Sequence, residues 1–495
     1  MTTQTGPDEG AGPYTDAGGC PGPDPRTGSG TDTRTGPGRR TAVVIGGGLA
    51  GTTAALALAD AGLKVTLTEA RPRLGGLAFS FKRGELSVDN GQHVFLRCCT
   101  AYQWFLDRIA ARDLVTLQDR LEVPVLDAGT GRLGRLNRTA LPVPLHLAAG
   151  LARYPHLSLR ERASVGRAAL ALRGLDLDDP ALDRTDFASW LAGRGQSPRT
   201  IEALWDLVGV ATLNATADHS SLGLAAKVFK TGLLSDPGAA DIGWASAPLG
   251  DLHDGRARKA LDAAGVRTLL RGRVAAIKAA ADGGWQVSVE TGPGRGEQLD
   301  AATVVLAVPQ REAHDLLPDG AVQDPEKLLR IGTAPILNVH VIYDRQVLAQ
   351  PFLAALGTPV QWVFDRTRSS GLTGGGQYLA VSQSAVADEI DLPVAELRDR
   401  YLPELARLLP AARGAEVRDF FVTRERTATF APTPGVAALR PGPVTRASGV
   451  FLAGAWTATG WPATMESAVR SGLRASKEAL AALGLPFDNG VLEAA

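Results

Sequence analysis

Two groups of residues in this chain have types and spacings suited to chemistry. The first is Gly46-x-Gly48-x-x-Gly51, followed by Glu69. Gly46 permits a tight turn, Gly48 lets a pyrophosphate approach the backbone, and Gly51 lets a helix close on a strand. A carboxylate about 20 residues further on can accept from both hydroxyls of a ribose. Together these features make a dinucleotide site. The second group is Asp89-Asn-Gly-Gln-His93, a polar cluster set between apolar runs. Its Asn-Gly dipeptide is also a strong turn signal. No Ser-His-Asp pattern is evident, and the seven histidines show no metal-ligand spacing, so no metal is expected.

The elements that must position the first group are legible around it. Ala42–Ile45 is a continuous apolar run, as in a buried parallel strand, and Thr52–Ala61 has the composition of a helix packed on it. The intervening Gly46, Gly48, Leu49, Ala50 and Gly51 form the phosphate turn. The helix N-terminus there supplies unpaired N–H groups and the positive end of its dipole. Lys64–Glu69 reads as the second strand. Beyond it come Ala70, Arg71, Arg73, Gly75, Gly76 and Leu77. Guanidinium groups suit phosphate and ribose oxygens, and a glycine pair can bring backbone close to a flat ring.

The stretch Glu69-Ala-Arg-Pro-Arg-Leu-Gly75-Gly76 resembles the flavin amine oxidase and carotenoid desaturase superfamily, whose first domain carries such an extension. The resemblance implies FAD as cofactor in place of NAD. It also implies that Val274 brings its backbone to the adenine, and that the Asp89–His93 segment passes beside the flavin. The C-terminal run Gly449–Gly472 fits the same pattern. A strand ends at Gly454, a polar and aromatic loop follows, and a helix starts near Thr464, so that N–H groups including that of Met465 face the flavin O2/N1 edge. Two positions depart from the family. Ala455 stands where an Asp is usual, and Leu77 where amine oxidases commonly place an arginine; each change removes a polar partner worth ~1–3 kcal/mol. Glu466, in the first turn of that helix, suits the helix dipole at least as well as it suits catalysis.

Within the superfamily, Asp89-Asn-Gly-Gln-His-Val-Phe-Leu-Arg-Cys-Cys-Thr100, Ala428-Thr-Phe430 and Gly460-Trp-Pro-Ala-Thr-Met465 resemble the hydroxysqualene dehydroxylases, squalene-associated flavoenzymes of bacterial hopanoid pathways. The likeness covers about residues 40–480. It implies hydride transfer from reduced FAD to an allylic alcohol, with an acid protonating the departing hydroxyl; His93 and Asp89 are the candidates for that proton path. It further implies a polyprenyl substrate, an electron donor the sequence does not identify, and a setting that admits prenyl synthases of the pathway as partners. A carotenoid-type desaturase, an amine oxidase and a non-catalytic scaffold for prenyl synthases are the alternatives.

The fold class expected is α/β. A Rossmann-type FAD-binding domain is assembled from segments 39–115, 250–320 and 446–485. An α+β substrate domain with a helical insertion occupies 116–249 and 321–445. Residues 1–38, rich in Gly, Pro and Thr, read as a disordered tail, and 486–495 as a second tail. Hairpins are expected about Arg83-Gly84 and about Asp127–Gly131. The apolar stretch Leu141–Pro155 reads either as an interfacial helix admitting a lipophilic substrate or as an ordinary buried helix. The buried helix is favoured, because Arg153 is the only cation within the stretch. Acidic and basic side chains balance at 52 each, which gives no global attraction to nucleic acid or anionic lipid. Three cysteines make no disulfide framework and fit a cytoplasmic setting; peripheral contact with the inner face of the cell membrane stays open.

Overall fold

A computed structural model describes residues 40–281, 283–488 and 490. The tail expected over 1–38, with Cys20, lies outside them, as do 491–495. Five parallel strands form the central sheet, in the order Arg267–Leu270, Lys64–Glu69, Thr41–Ile45, Thr303–Leu306, Val450–Leu452. Here Thr41–Ile45 is β1 and Lys64–Glu69 is β2. In chain sequence the order is third, second, first, fourth, fifth. Strand order therefore reverses beside β1, the place where open parallel sheets bind ligands at their carboxyl ends. β1 is apolar because both faces of the sheet are covered: helix α1 (Leu49–Asp60) and the C-terminal helix Met465–Ala482 pack on one, and the three-stranded sheet of Arg273–Ala279, Trp285–Gly292 and Arg295–Ala301 on the other. These two helices touch at Gly472, where a Cβ would lie 2.3 Å from the Ala50 carbonyl oxygen.

Both expected hairpins form. Ser80–Arg83 pairs with Leu86–Asp89, and Glu122–Asp127 pairs with Leu133–Asn137. The second joins a seven-stranded sheet otherwise drawn from residues 333–430. The last strand of that sheet, expected over Glu416–Thr423, runs from Val417 to Phe430; irregular pairing near Ala334–Ile336 lets it continue, which places Ala428–Phe430 on a strand. A small sheet of Val94–Leu96, Ile242–Ala245 and Val115–Leu117 ties the polar loop after Asp89 to the helical block.

The Leu141–Pro155 stretch is not an ordinary buried helix. It forms a 3-10 turn at Leu145–Leu147 and a short helix α3 (Ala148–Arg153), in which Gly150 alone is buried. Leu141 and Leu145 are 50% and 54% exposed. A helix with so few charges looks buried from composition, yet only one of its sides finds a packing partner. The longer helix α4 (Leu159–Arg173) follows, opened by a capping box in which Ser158 and Glu161 satisfy each other's backbone N–H groups. Among the described residues no helix is long and apolar enough to cross a membrane.

Candidate active site

The glycine turn is built as its spacing requires. Gly46 has φ +105°, and a Cβ there would sit 2.4 Å from the Ala307 carbonyl oxygen; at Gly51 it would sit 1.8 Å from the Gly46 carbonyl oxygen. Gly48 differs, because a Cβ there would meet only the Gly76 Cα, at 3.6 Å. Its missing side chain keeps space open without being needed by the fold. The N-terminus of α1 at Gly48 carries no side-chain cap. Glu69, at the end of β2, accepts from Gly47 N and Arg71 N, each at 2.7 Å. Gly75 N donates to Gly47 O at 2.9 Å, and a Cβ on Gly76 would come within 2.9 Å of Gly48 Cα. The glycine pair thus closes on the phosphate turn. Arg73 lies 3.3 Å over the Phe79 ring and donates to Leu74 O and Gly76 O, whereas Ala70, Arg71 and Leu77 are exposed. Gly272 N donates to Glu69 O, which sets Val274 beside the end of β2.

The C-terminal return reaches the same edge of the sheet. Ala453 N donates to Leu306 O, and Gly454 N to Ser471 Oγ at 2.8 Å. Gly454 has φ +138°, and the Trp456 indole lies where its Cβ would be. The loop after it is held by a residue the sequence reading did not single out. Buried Arg440 donates to the carbonyls of Ala455, Trp456, Thr457 and Trp461 and to Thr459 Oγ1. Burial pushes the Arg440 guanidinium down to about 10. Thr464 caps the final helix by accepting from Ser467 N, so its side chain is committed to structure. The Glu466 carboxylate accepts from Ala101 N at 3.2 Å, Tyr102 N at 2.7 Å and Arg470 Nε at 2.6 Å. It therefore caps a different helix, α2 (Thr100–Arg108), which explains its burial without catalysis.

The polar cluster forms a corner against the Gly75–Ala78 stretch. Asp89 Oδ1 accepts from Ser80 Oγ at 2.6 Å and Leu249 N at 3.0 Å, and its Oδ2 from Arg366 at 2.6 Å. Arg366 also donates to Ala245 O. His93 faces a cavity of ~10 Å³, room for about one water, bounded also by Asp89, Gln92, Trp244, Phe364 and Arg366. Burial, with the Arg366 guanidinium adding, pushes His93 down to about 4. His253, packed on Gly75, lies 2.9 Å from both Ala78 O and Tyr102 Oη, and burial holds it near 4 as well. As a neutral ring it donates through Nδ1 to the carbonyl and accepts from the phenol. Asn90 pins the hairpin by accepting from Phe79 N and donating to Leu77 O; Asn90-Gly91 itself is only a bend, so the side chain ties two distant stretches together and closes no local turn.

Two buried polar atoms at this corner, Gln92 Nε2 and Asn338 Oδ1, have no protein partner. Gly91 stands between them, with Asn338 Nδ2 and His93 Nε2 within 3.5 Å of where its Cβ would be. Unpaired buried polar atoms, an uncapped helix N-terminus and the open space at Gly48 are what a large polar cofactor would fill, so these residues fit FAD. An aromatic wall completes the site. Trp244 packs on Phe352 at 5.6 Å between centroids, and Phe352 on Phe364 at 6.0 Å. The fold gathers this wall from strands of two different sheets, and nothing in the local sequence around Trp244 or Phe364 signals it. Among the described residues no group of side chains could hold a metal ion.

The model of the family described as flavin containing amine oxidoreductase matches residues 49–480. Hydroxysqualene dehydroxylase of Rhodopseudomonas palustris is 30% identical over 460 residues, spanning 90% of this chain and 99% of the relative. Zeta-carotene desaturase of Synechocystis is 24% identical over 481 residues, spanning 88% and 96%. A solved structure of a putrescine oxidase variant superposes with a TM-score of 0.69 at 19% identity, covering 89% of this chain and 99% of that one.

Proposed function

The chain belongs to the flavin containing amine oxidoreductase family, with FAD as its cofactor, and from that premise we propose that it reduces hydroxysqualene to squalene. The higher identity to a hydroxysqualene dehydroxylase, 30% against 24% to a zeta-carotene desaturase at similar coverage, supports this reading over desaturation. The observation that carries it is the juxtaposition of a polar corner, His93 with Arg366, and an aromatic wall, Trp244 with Phe364, around one small cavity.

Replacing a hydroxyl by hydrogen consumes one proton and one hydride and releases water. Reduced FAD, when bound, supplies the hydride. The proton must reach the hydroxyl oxygen, because hydroxide is a poor leaving group. Three donors converge on Asp89, whose carboxyl oxygens are thereby taken up in positioning Arg366. His93 is neutral at neutral pH, and its minor protonated form is strongly acidic, well suited to give a proton to a hydroxyl. Arg366, on the same cavity, orients the hydroxyl and disfavours a standing charge on His93. The faces of Trp244 and Phe364 stabilise positive charge as it develops on the allylic carbon, each worth ~0.5–2 kcal/mol. We assign Gly46–Gly51, Glu69, Arg71, Arg73, Gly75, Gly76, Val274, Gly454 and the Met465 backbone to holding FAD. At Ala455 and Leu77 only backbone is available to it.

The deciding experiment is anaerobic. FAD-loaded protein is reduced with dithionite and mixed with hydroxysqualene, and the flavin spectrum and hydrocarbon are followed together. Reoxidation matched by squalene is expected; reduced flavin persisting with no squalene overturns the reading.

A further inference from the structure

Segment 128–175 concentrates two properties that the rest of the chain spreads thinly. It holds eight arginines against one carboxylate, Glu161, in a protein whose charges balance overall. Arg135 is paired with Glu122 and Arg138 with buried Asp241, which leaves Arg132, Arg153, Arg160, Arg162, Arg167 and Arg173. Glu161, half-buried, is engaged by its neighbours: it accepts from Ser158 in the capping box and from Ser197 Oγ at 2.6 Å. The same segment holds Leu133, Leu141, Leu145, Leu159 and Leu170, five of the eleven large exposed hydrophobics among the described residues.

These residues share outward faces. Leu141, Leu145, Ala148 and Ala152 are all exposed, at spacings of four, three and four, along the approach to α3 and α3 itself. On α4, Leu159, Ala163 and Leu170 are exposed beside Arg160, Arg167 and Arg173, while Ser164, Val165, Ala168 and Leu172 face the core. Arg162 donates to Ala152 O at 2.6 Å and ties the two helices together. A surface helix ordinarily turns mixed charges outward; here the outward faces carry leucine and arginine, and the one acid, Glu161, is held in the capping box. Asp176, Asp178 and Asp179, exposed just beyond α4, mark the edge of the patch.

We propose that α3 and the outward face of α4 seat this protein on an anionic lipid bilayer, with leucines in the interfacial hydrocarbon and arginine heads at the lipid phosphates. The choice of lipid as occupant rests on the polyprenyl substrate proposed above, which dissolves in membranes and in no aqueous phase. A second copy fits poorly, because it would bring one arginine-rich face against another.

The test is co-sedimentation of the FAD-loaded full chain with vesicles of phosphatidylcholine alone or with about one third phosphatidylglycerol. Binding is expected to the anionic vesicles, weakening with salt. A fall of about tenfold or more is expected in Leu141→Ser/Leu145→Ser and, independently, in Arg160→Gln/Arg167→Gln, with turnover in detergent micelles unchanged. Wild-type protein left in the supernatant with anionic vesicles overturns the proposal, as does wild-type binding by both variants. Capture by an acidic prenyl synthase that leaves vesicles unbound assigns the face to protein. Vesicle binding and turnover are read separately, so lipid binding without squalene formation overturns the reaction and spares the surface.

Discussion

Asp89 receives hydrogen bonds from Ser80, Leu249 and Arg366, while His93 near it is half-buried on the cavity that the same guanidinium lines. These surroundings tie Asp89 to Arg366 and keep the His93 ring neutral. If the imidazolium form of His93 is the acid, its population grows tenfold for each unit by which pH falls toward its value of about 4. Log kcat/KM for dehydroxylation should therefore rise by about one per unit between pH 8 and 6. In His93→Gln the slope should vanish and the rate fall on the order of 10²–10⁴ at normal flavin content; a variant keeping both rate and slope removes His93 from the proton path. Trp244→Ala should lower kcat by roughly 2–30-fold, with Trp244→Phe recovering most of it, if ring faces stabilise the developing cation. Equal loss in both variants, measured by steady-state turnover, would point to packing. His93 and Asp89 stand out in sequence because they sit in one polar run. Arg366 lies 277 positions from Asp89, and no local pattern can announce a partner at that distance.

At the scale of elements, glycines of similar appearance have different jobs. Gly51→Ala would drive a Cβ to 1.8 Å from Gly46 O, so it should lower the melting temperature of the apoprotein as well as abolish FAD retention. Gly48→Ala meets only Gly76 Cα, at 3.6 Å, so the apoprotein should melt as wild type does while the ratio of flavin to protein absorbance drops. An apoprotein equally destabilised by both changes would mean that Gly48 serves the fold alone. The strand, turn, helix and second strand from 41 to 69 are legible in sequence, because each is specified by its own residues: an apolar run, glycines where φ or space demands them, and an acidic end. What escapes is commitment across elements. Glu466 looks like a partner for its own helix dipole, yet it caps a helix 365 residues away. Leu141–Pro155 looks buried, but burial is decided by which neighbours cover a face, and composition does not carry that.

For the molecule as a whole, burial of neutral histidines couples folding to pH. His253 and His340 are 1% and 0% exposed and are pushed down to about 4 and about 3. His340 is enclosed by Tyr378 Oη at 2.7 Å, Thr423 Oγ1 at 3.0 Å and the stacked Phe421 ring. An unfolded chain protonates both near 6.5. The unfolded state therefore binds more protons than the folded one between about 6.5 and these lower values, and stability present above that window is lost as pH falls through it. For each ring the loss reaches about 3 kcal/mol at most by pH 4. Asp206 acts in the opposite sense: burial raises it to about 6, so the folded state takes up its proton first and regains some stability between about 6 and 4. With His93 also held near 4, three histidines against Asp206 leave a net loss, and the histidines act first, from 6.5 to 6. The melting temperature of the FAD-loaded protein should accordingly fall from pH 7.5 to 6.0 and fall further, less steeply, toward 5.0. A melting temperature that holds level or climbs on acidification would mean that these rings are protonated within the fold, and the neutral Tyr102–His253–Ala78 chain behind the polar corner would have to be redrawn.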